Sequence, residues 1–132
     1  MSRKKRQSKL NFPFTAMPKH ITRSNAWFSC RPAARLIWFA VLERFDGANN
    51  GAISLSVREA AEYAGCSPNT AGRMFNELID AGLLICSQTS SFNSGKRLAR
   101  LWELTHLPKE GKVATNLWKH VSAKASGKRD TI

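Results

Sequence analysis

Apolar residues recur along the middle of the chain at two spacings, and the points where the spacing changes divide it into elements. From Pro32 the run "AARLIWFAVLERF" places Leu36, Ile37, Phe39, Ala40 and Val41 at helical intervals until Gly47 and the polar loop "GANNG" stop it. Pro32 suits the first helical position, where its missing amide hydrogen has no partner to lose. A short β-compatible piece, Ala52 to Leu55, follows. Ser56 then opens an S-x-x-E box with Glu59, which satisfies free amides at a helix start and predicts a helix over Val57 to Ala64. Gly65 ends that helix by taking a left-handed conformation without steric penalty. Ser67 and Pro68 read as the cap and first residue of a third helix, with Ala71, Met74, Phe75 and Leu78 turned inward until Gly82. After Gly82 the pattern becomes strand-like: "LLICSQT" (83–89) and "RLARLWELT" (97–105) flank the polar "SSFNSGK" as a hairpin would.

On either side the pattern weakens. Residues 1–11 are polar and basic, without the apolar periodicity that orders a segment alone. Phe12 to Phe28 is apolar but broken by Pro13 and Pro18, which predicts an extended strap, with Ser24 capping a short turn that holds Trp27 and Phe28. Beyond Pro108, Leu117, Trp118 and Val121 suggest one docking turn before a frayed "SAKASGKRDTI". The order helix, short strand, helix, helix, hairpin predicts a mainly α chain with a small β-hairpin, an α+β fold. The division expected is 1–23 as basic arm and strap, 24–105 as the domain, and 106–132 as a basic extension.

Charge sharpens this division. The 132 residues have a formal net charge of +12, and nine Lys or Arg precede residue 36 without one acid. Residues 36–105 are nearly balanced, with six basic and seven acidic side chains, while 106–132 hold six against two. Such a chain favours a polyanionic partner, nucleic acid before an anionic membrane surface. Cys30, Cys66 and Cys86 are widely spaced without a C-x-x-C pair, and His20, His106 and His120 are as scattered, so neither a zinc site nor a disulfide framework is indicated. The basic start leads into no apolar signal segment, and no run reaches membrane-spanning length. A cytoplasmic, nucleoid-associated protein with reduced thiols is expected, without a cofactor or small-molecule ligand. Its acids are dispersed, no histidine is paired recognisably with a nucleophile, and no glycine-rich phosphate loop is present, so an enzyme is not indicated.

The element order and residues 57–76 resemble the winged helix-turn-helix superfamily: small Ala61 where two helices cross, Gly65 in the turn, and Ala71 and Met74 pinning the second helix. Residues 24–105, with "FDGANNGAISLSVREAA" before the turn and "LARLWELT" after it, resemble small bacterial plasmid replication initiators and mobile-element regulators. Arg31 departs from the pattern, standing where a capping Ser or Thr is usual.

This resemblance implies sequence-selective binding of double-stranded DNA, possible homodimerisation, and a role in transcription, replication or mobile-element control. Asn69, Thr70, Arg73 and Asn76 form the polar face opposite Met74 and Phe75, and Asn and Arg can pair bidentately with adenine and guanine in the major groove. Ser67 is a phosphate candidate with a competing use as a cap. Glu77 and Asp80, which repel phosphate, occupy the last turns, so DNA should meet the start of the helix. Lys96 and Arg97 at the hairpin loop, and Arg100 on the return strand, are candidate wing contacts. The arm Arg3, Lys4, Lys5 and Arg6 would add affinity without telling sequences apart. Trp38, Phe39, Phe75 and Trp102 read as core rather than as a stacking platform. Two other readings stay open: a small basic RNA-binding protein and a winged-helix adaptor that contacts protein.

Overall fold

A computed structural model describes residues 11–89, 91–93 and 96–122, the side chains of 91–98 excepted. It is a mixed α+β fold, with a three-stranded antiparallel sheet beside packed helices. Two short helices, α1 (Lys19–Thr22) and α2 (Asn25–Ser29), lead into α3 (Pro32–Glu43). Strand β1 (Ile53–Ser54) precedes α4 (Val57–Ala64) and α5 (Pro68–Asp80), which are followed by β2 (Leu84–Gln88), β3 (Ser91–Asn93), β4 (Lys96–Leu98), β5 (Leu101–Leu104) and a 3₁₀ turn at Leu117–His120.

The helix boundaries follow from local chemistry. Ser56 Oγ accepts the Glu59 amide at 3.0 Å, and Glu59 Oε1 accepts the Ser56 amide at 2.9 Å, closing the reciprocal box. That backbone amide of Ser56, with help from Arg44, holds the Glu59 carboxyl below its ordinary value. At the other end of α4, Gly65 has φ 70°, the Cys66 amide donates to Ala61 O and the Gly65 amide to Glu62 O. These two bonds form a Schellman closure, which requires a residue that tolerates positive φ. Gly82 (φ 77°) closes α5 in the same way, with Leu83 donating to Leu78 O.

Two sequence expectations need correction. The segment from Phe12 to Phe28 is without helix or strand only as far as Pro18; Ile21 then enters the core from α1, and Ser24 caps α2 by accepting the Trp27 amide at 3.1 Å. The hairpin is also two ladders rather than one. Strand β5 lies between β1 and β2, but β2 shifts register between Cys86 and Gln88, and β3 pairs separately with β4. Part of the expected polar loop is therefore strand, and the expected strand 97–105 is interrupted at Ala99 and Arg100. Gln88 Nε2 donates to Ala99 O at 2.7 Å across this joint.

The core runs from Ile21 to Trp118 and centres on Trp38, Phe75 and Trp102, all fully buried. Each indole hydrogen finds a carbonyl: Trp38 Nε1 donates to Leu83 O at 3.3 Å and Trp102 Nε1 to Leu55 O at 2.9 Å. Buried Asn50 accepts the Leu104 amide and donates to the carbonyls of Leu104, Leu107 and Pro108, tying the loop after α3 to the end of β5. Leu36, apolar in the sequence pattern, is 46% exposed on the outer side of α3.

Gly65→Val should lower unfolding free energy by ~1–3 kcal/mol through backbone strain, because no atom lies within 4 Å of a Cβ built there. Gly65→Asn should lose much less. At Gly82 a Cβ would also stand 2.7 Å from the Leu117 backbone, so Gly82→Ala should cost more than Gly65→Ala. Urea unfolding of these variants measures both differences.

Candidate nucleic-acid interface

Helix α5 has one face committed to the interior and one left to solvent. Ala71, Met74, Phe75 and Leu78 are buried, while Asn69, Arg73 and Asn76 are exposed and Thr70 is half-buried. Asn69, Arg73 and Asn76 stand one turn apart in succession, so they share a stripe on the helix surface. Among the sequence candidates these three are brought together without qualification.

The start of α5 is tightly organised. Ser67 Oγ accepts the Thr70 amide at 3.1 Å, and its hydroxyl donates to Thr70 Oγ1 at 3.1 Å. Arg73 Nη2 donates to the same Thr70 oxygen at 3.3 Å. Ser67 is therefore used as a cap, and Thr70 orients the Arg73 guanidinium. With one Arg73 nitrogen held, its remaining donors can meet an acceptor with less loss of side-chain freedom.

Glu77 has a structural use that its sequence position did not reveal. Its Oε1 accepts the Arg31 amide at 2.9 Å, and its Oε2 lies 3.4 Å from Arg31 Nε. Thus a carboxylate from α5 accepts the Arg31 amide, the bond that a capping-box Glu makes at a helix start, and the Arg31 side chain, which caps no amide of α3, lies against that acid instead.

Arg100 lies at the joint between β4 and β5, not within a strand. Its Cζ is 6.0 Å from the Phe75 ring centre and 5.7 Å from that of Trp102, while the two rings are stacked with centres 4.2 Å apart. Nearly equal distances put the guanidinium beside the stack rather than over an outer face. Its Nε is shielded from solvent and has no hydrogen-bond partner among the described residues. Lys96 and Arg97 belong to β4, opposite Asn93 and Phe92, but their side chains lie outside the described residues. The arm residues Arg3, Lys4, Lys5 and Arg6 also lie outside them, as do residues 123–132 of the C-terminal extension.

A different concavity, a groove of about 930 Å³, is lined by Phe14, Phe39, Phe45, His20 and His106 among others. Burial, followed by the neighbouring His20, lowers the His106 pKa to about 4. The His106 Nδ1 has no hydrogen-bond partner among the described residues. His106 is therefore neutral near pH 7 and gives the groove no charge with which to attract an anion. No group of three His, Cys, Asp or Glu placed to hold a metal occurs among the described residues, and none of their helices is long and apolar enough to cross a membrane.

No protein-family model, curated protein or solved structure matches the chain. Gly72, inside α5 beside the polar stripe, was not singled out by the sequence pattern, although an interior helix glycine is itself a signal because alanine is the better helix former.

The lowered His106 pKa has a defined sign. Below the ordinary value of 6.5 the unfolded chain binds a proton that the folded chain does not, so this contribution to stability is present above 6.5 and lost as pH falls toward 4. His106→Phe should reduce the fall in melting temperature between about pH 7 and about pH 5. Paired thermal melts of the native and substituted chains across that range provide the measurement.

Proposed function

We propose that the chain binds double-stranded DNA sequence-selectively as a winged helix-turn-helix protein, with α5 in the major groove and the β3–β4 hairpin as a wing along the adjacent backbone. The observation that carries this reading is the α4–α5 pair. A left-handed Gly65 closes α4, a Ser67 cap opens α5, and α5 turns Asn69, Arg73 and Asn76 outward without an intervening acid. An α-helix fits the major groove of B-form DNA, and these side-chain types match the donor and acceptor edges of adenine and guanine.

The charge distribution supports the same partner. The net charge of +12 belongs mainly to the flanks, so the flanks would supply phosphate attraction while α5 supplies base discrimination. Aromatic placement favours a duplex over a single strand: Trp102 on the central strand is fully buried, and none of the exposed large apolar residues described belongs to the three-stranded sheet. That sheet offers no platform on which bases could stack. The protein would act by occupying its site, blocking or recruiting transcription, replication or mobile-element machinery.

Selection from a random duplex pool, followed by competition with structured RNA of matched charge, tests this reading. A recovered consensus supports it; RNA outcompeting every duplex would replace it with the RNA-binding reading. On the recovered site Arg73→Ala should reduce preference over scrambled DNA by ~1–3 kcal/mol while changing nonspecific affinity less. Equal losses on both duplexes would make Arg73 a phosphate contact.

A further inference from the structure

Gly72 is a residue of α5 whose presence the fold leaves unexplained. It occupies a helix interior with ordinary helical handedness, where glycine is a poorer choice than alanine. A Cβ built there would meet no atom within 4 Å. Neither a left-handed turn nor close internal packing requires its missing side chain.

Its position around the helix points outside the chain. Taking 3.6 residues per turn, Gly72 falls between buried Phe75 and exposed Asn76, on the flank of the polar stripe rather than at its centre. Phe75 is three residues further along that flank, and Arg100 stands beside its ring with Nε unpartnered among the described residues. The flank therefore combines a position without a side chain, a buried ring with a cation beside it and, two turns beyond Gly72, the exposed Ile79. Bases in a major groove face the centre of an inserted helix, whereas the groove's sugar–phosphate walls face its flanks.

We propose that Gly72 is the point where one sugar–phosphate strand of the duplex comes into van der Waals contact with α5, and that Arg100 supplies the positive charge at that contact. This rests on the duplex-binding reading above and adds a residue that sets how closely the helix can approach. A methyl group at position 72 would hold the backbone away and weaken the contact for every sequence alike. The glycine is thus a positioning residue, and Arg100 acts on phosphate rather than on a base.

The test measures Gly72→Ala against the native chain on cognate and scrambled duplexes across a salt series, with thermal melting alongside. The melting temperature should rise, while both affinities should fall by a similar factor of roughly tenfold, the scale of losing a charge-assisted hydrogen bond. The dependence of log affinity on log salt should become shallower by about 0.9 if one phosphate contact is lost. Arg100→Gln should give the same change in slope, and the double variant should lose less than the two single losses combined. Full binding by a stabilised Gly72→Ala would overturn the close-approach proposal while leaving the duplex reading intact. A lowered melting temperature would assign Gly72 to the fold, and a loss confined to the cognate site would assign it to a base edge; either overturns the proposal. If the native chain itself binds no duplex, both readings fall together.

Discussion

The face-to-face stack of Phe75 on Trp102 is the contact on which the arrangement depends. The ring planes differ by 9° and neither side chain reaches solvent. Phe75 belongs to α5 and Trp102 to the middle strand of the sheet, so the stack fixes the helix that carries Asn69, Arg73 and Asn76 against the centre of that sheet. Trp102 is itself held at both ends, by its strand neighbours and by its indole bond to Leu55 O. Burial of two large rings against each other contributes more contact area than a pair of small aliphatic side chains would. The position of Arg100 beside α5 depends on this pair.

Helix-end chemistry was the part of the fold most legible in the sequence. Ser56 with Glu59, Gly65, Ser67 with Pro68, and Gly82 act over four or five residues, so local pattern alone located α4 and α5. The buried positions of α5 were equally readable from their spacing. What escaped was nonlocal. Glu77 reaches the Arg31 amide across 46 positions, and no local rule pairs a carboxylate late in one helix with the start of another. The separate β3–β4 ladder depends on where β2 loses register, which alternating polarity does not reveal. Of the proposed binding residues, Asn69, Arg73 and Asn76 were legible because they are the complement of a buried face. Arg100 appeared as one more hairpin cation until its place beside two aromatic rings was seen.

The acid and base placement also separates two electrostatic scales. Arg31 and Glu77 meet at a solvent-facing contact, which contributes little to stability as a bare ion pair but ties the start of α3 to α5 through the Arg31 backbone amide. The surplus positive charge before residue 36 works over longer distances and is screened by salt. Short-range geometry and long-range attraction therefore come from different parts of the chain. Under the proposed reading, one would govern which site is held and the other how quickly any site is met.

The break between the two β-ladders separates inheritance of shape from variation at the edge. Since, among the described residues, β3 and β4 pair with each other alone and the joint behind them is clasped by Gln88 and Ala99, their ladder is separate from the register of the three-stranded sheet. Among the described residues, no strand pairing links the outer ladder to Trp102. A lineage of such chains could diversify its reach by editing the tip while every member kept the same folded base.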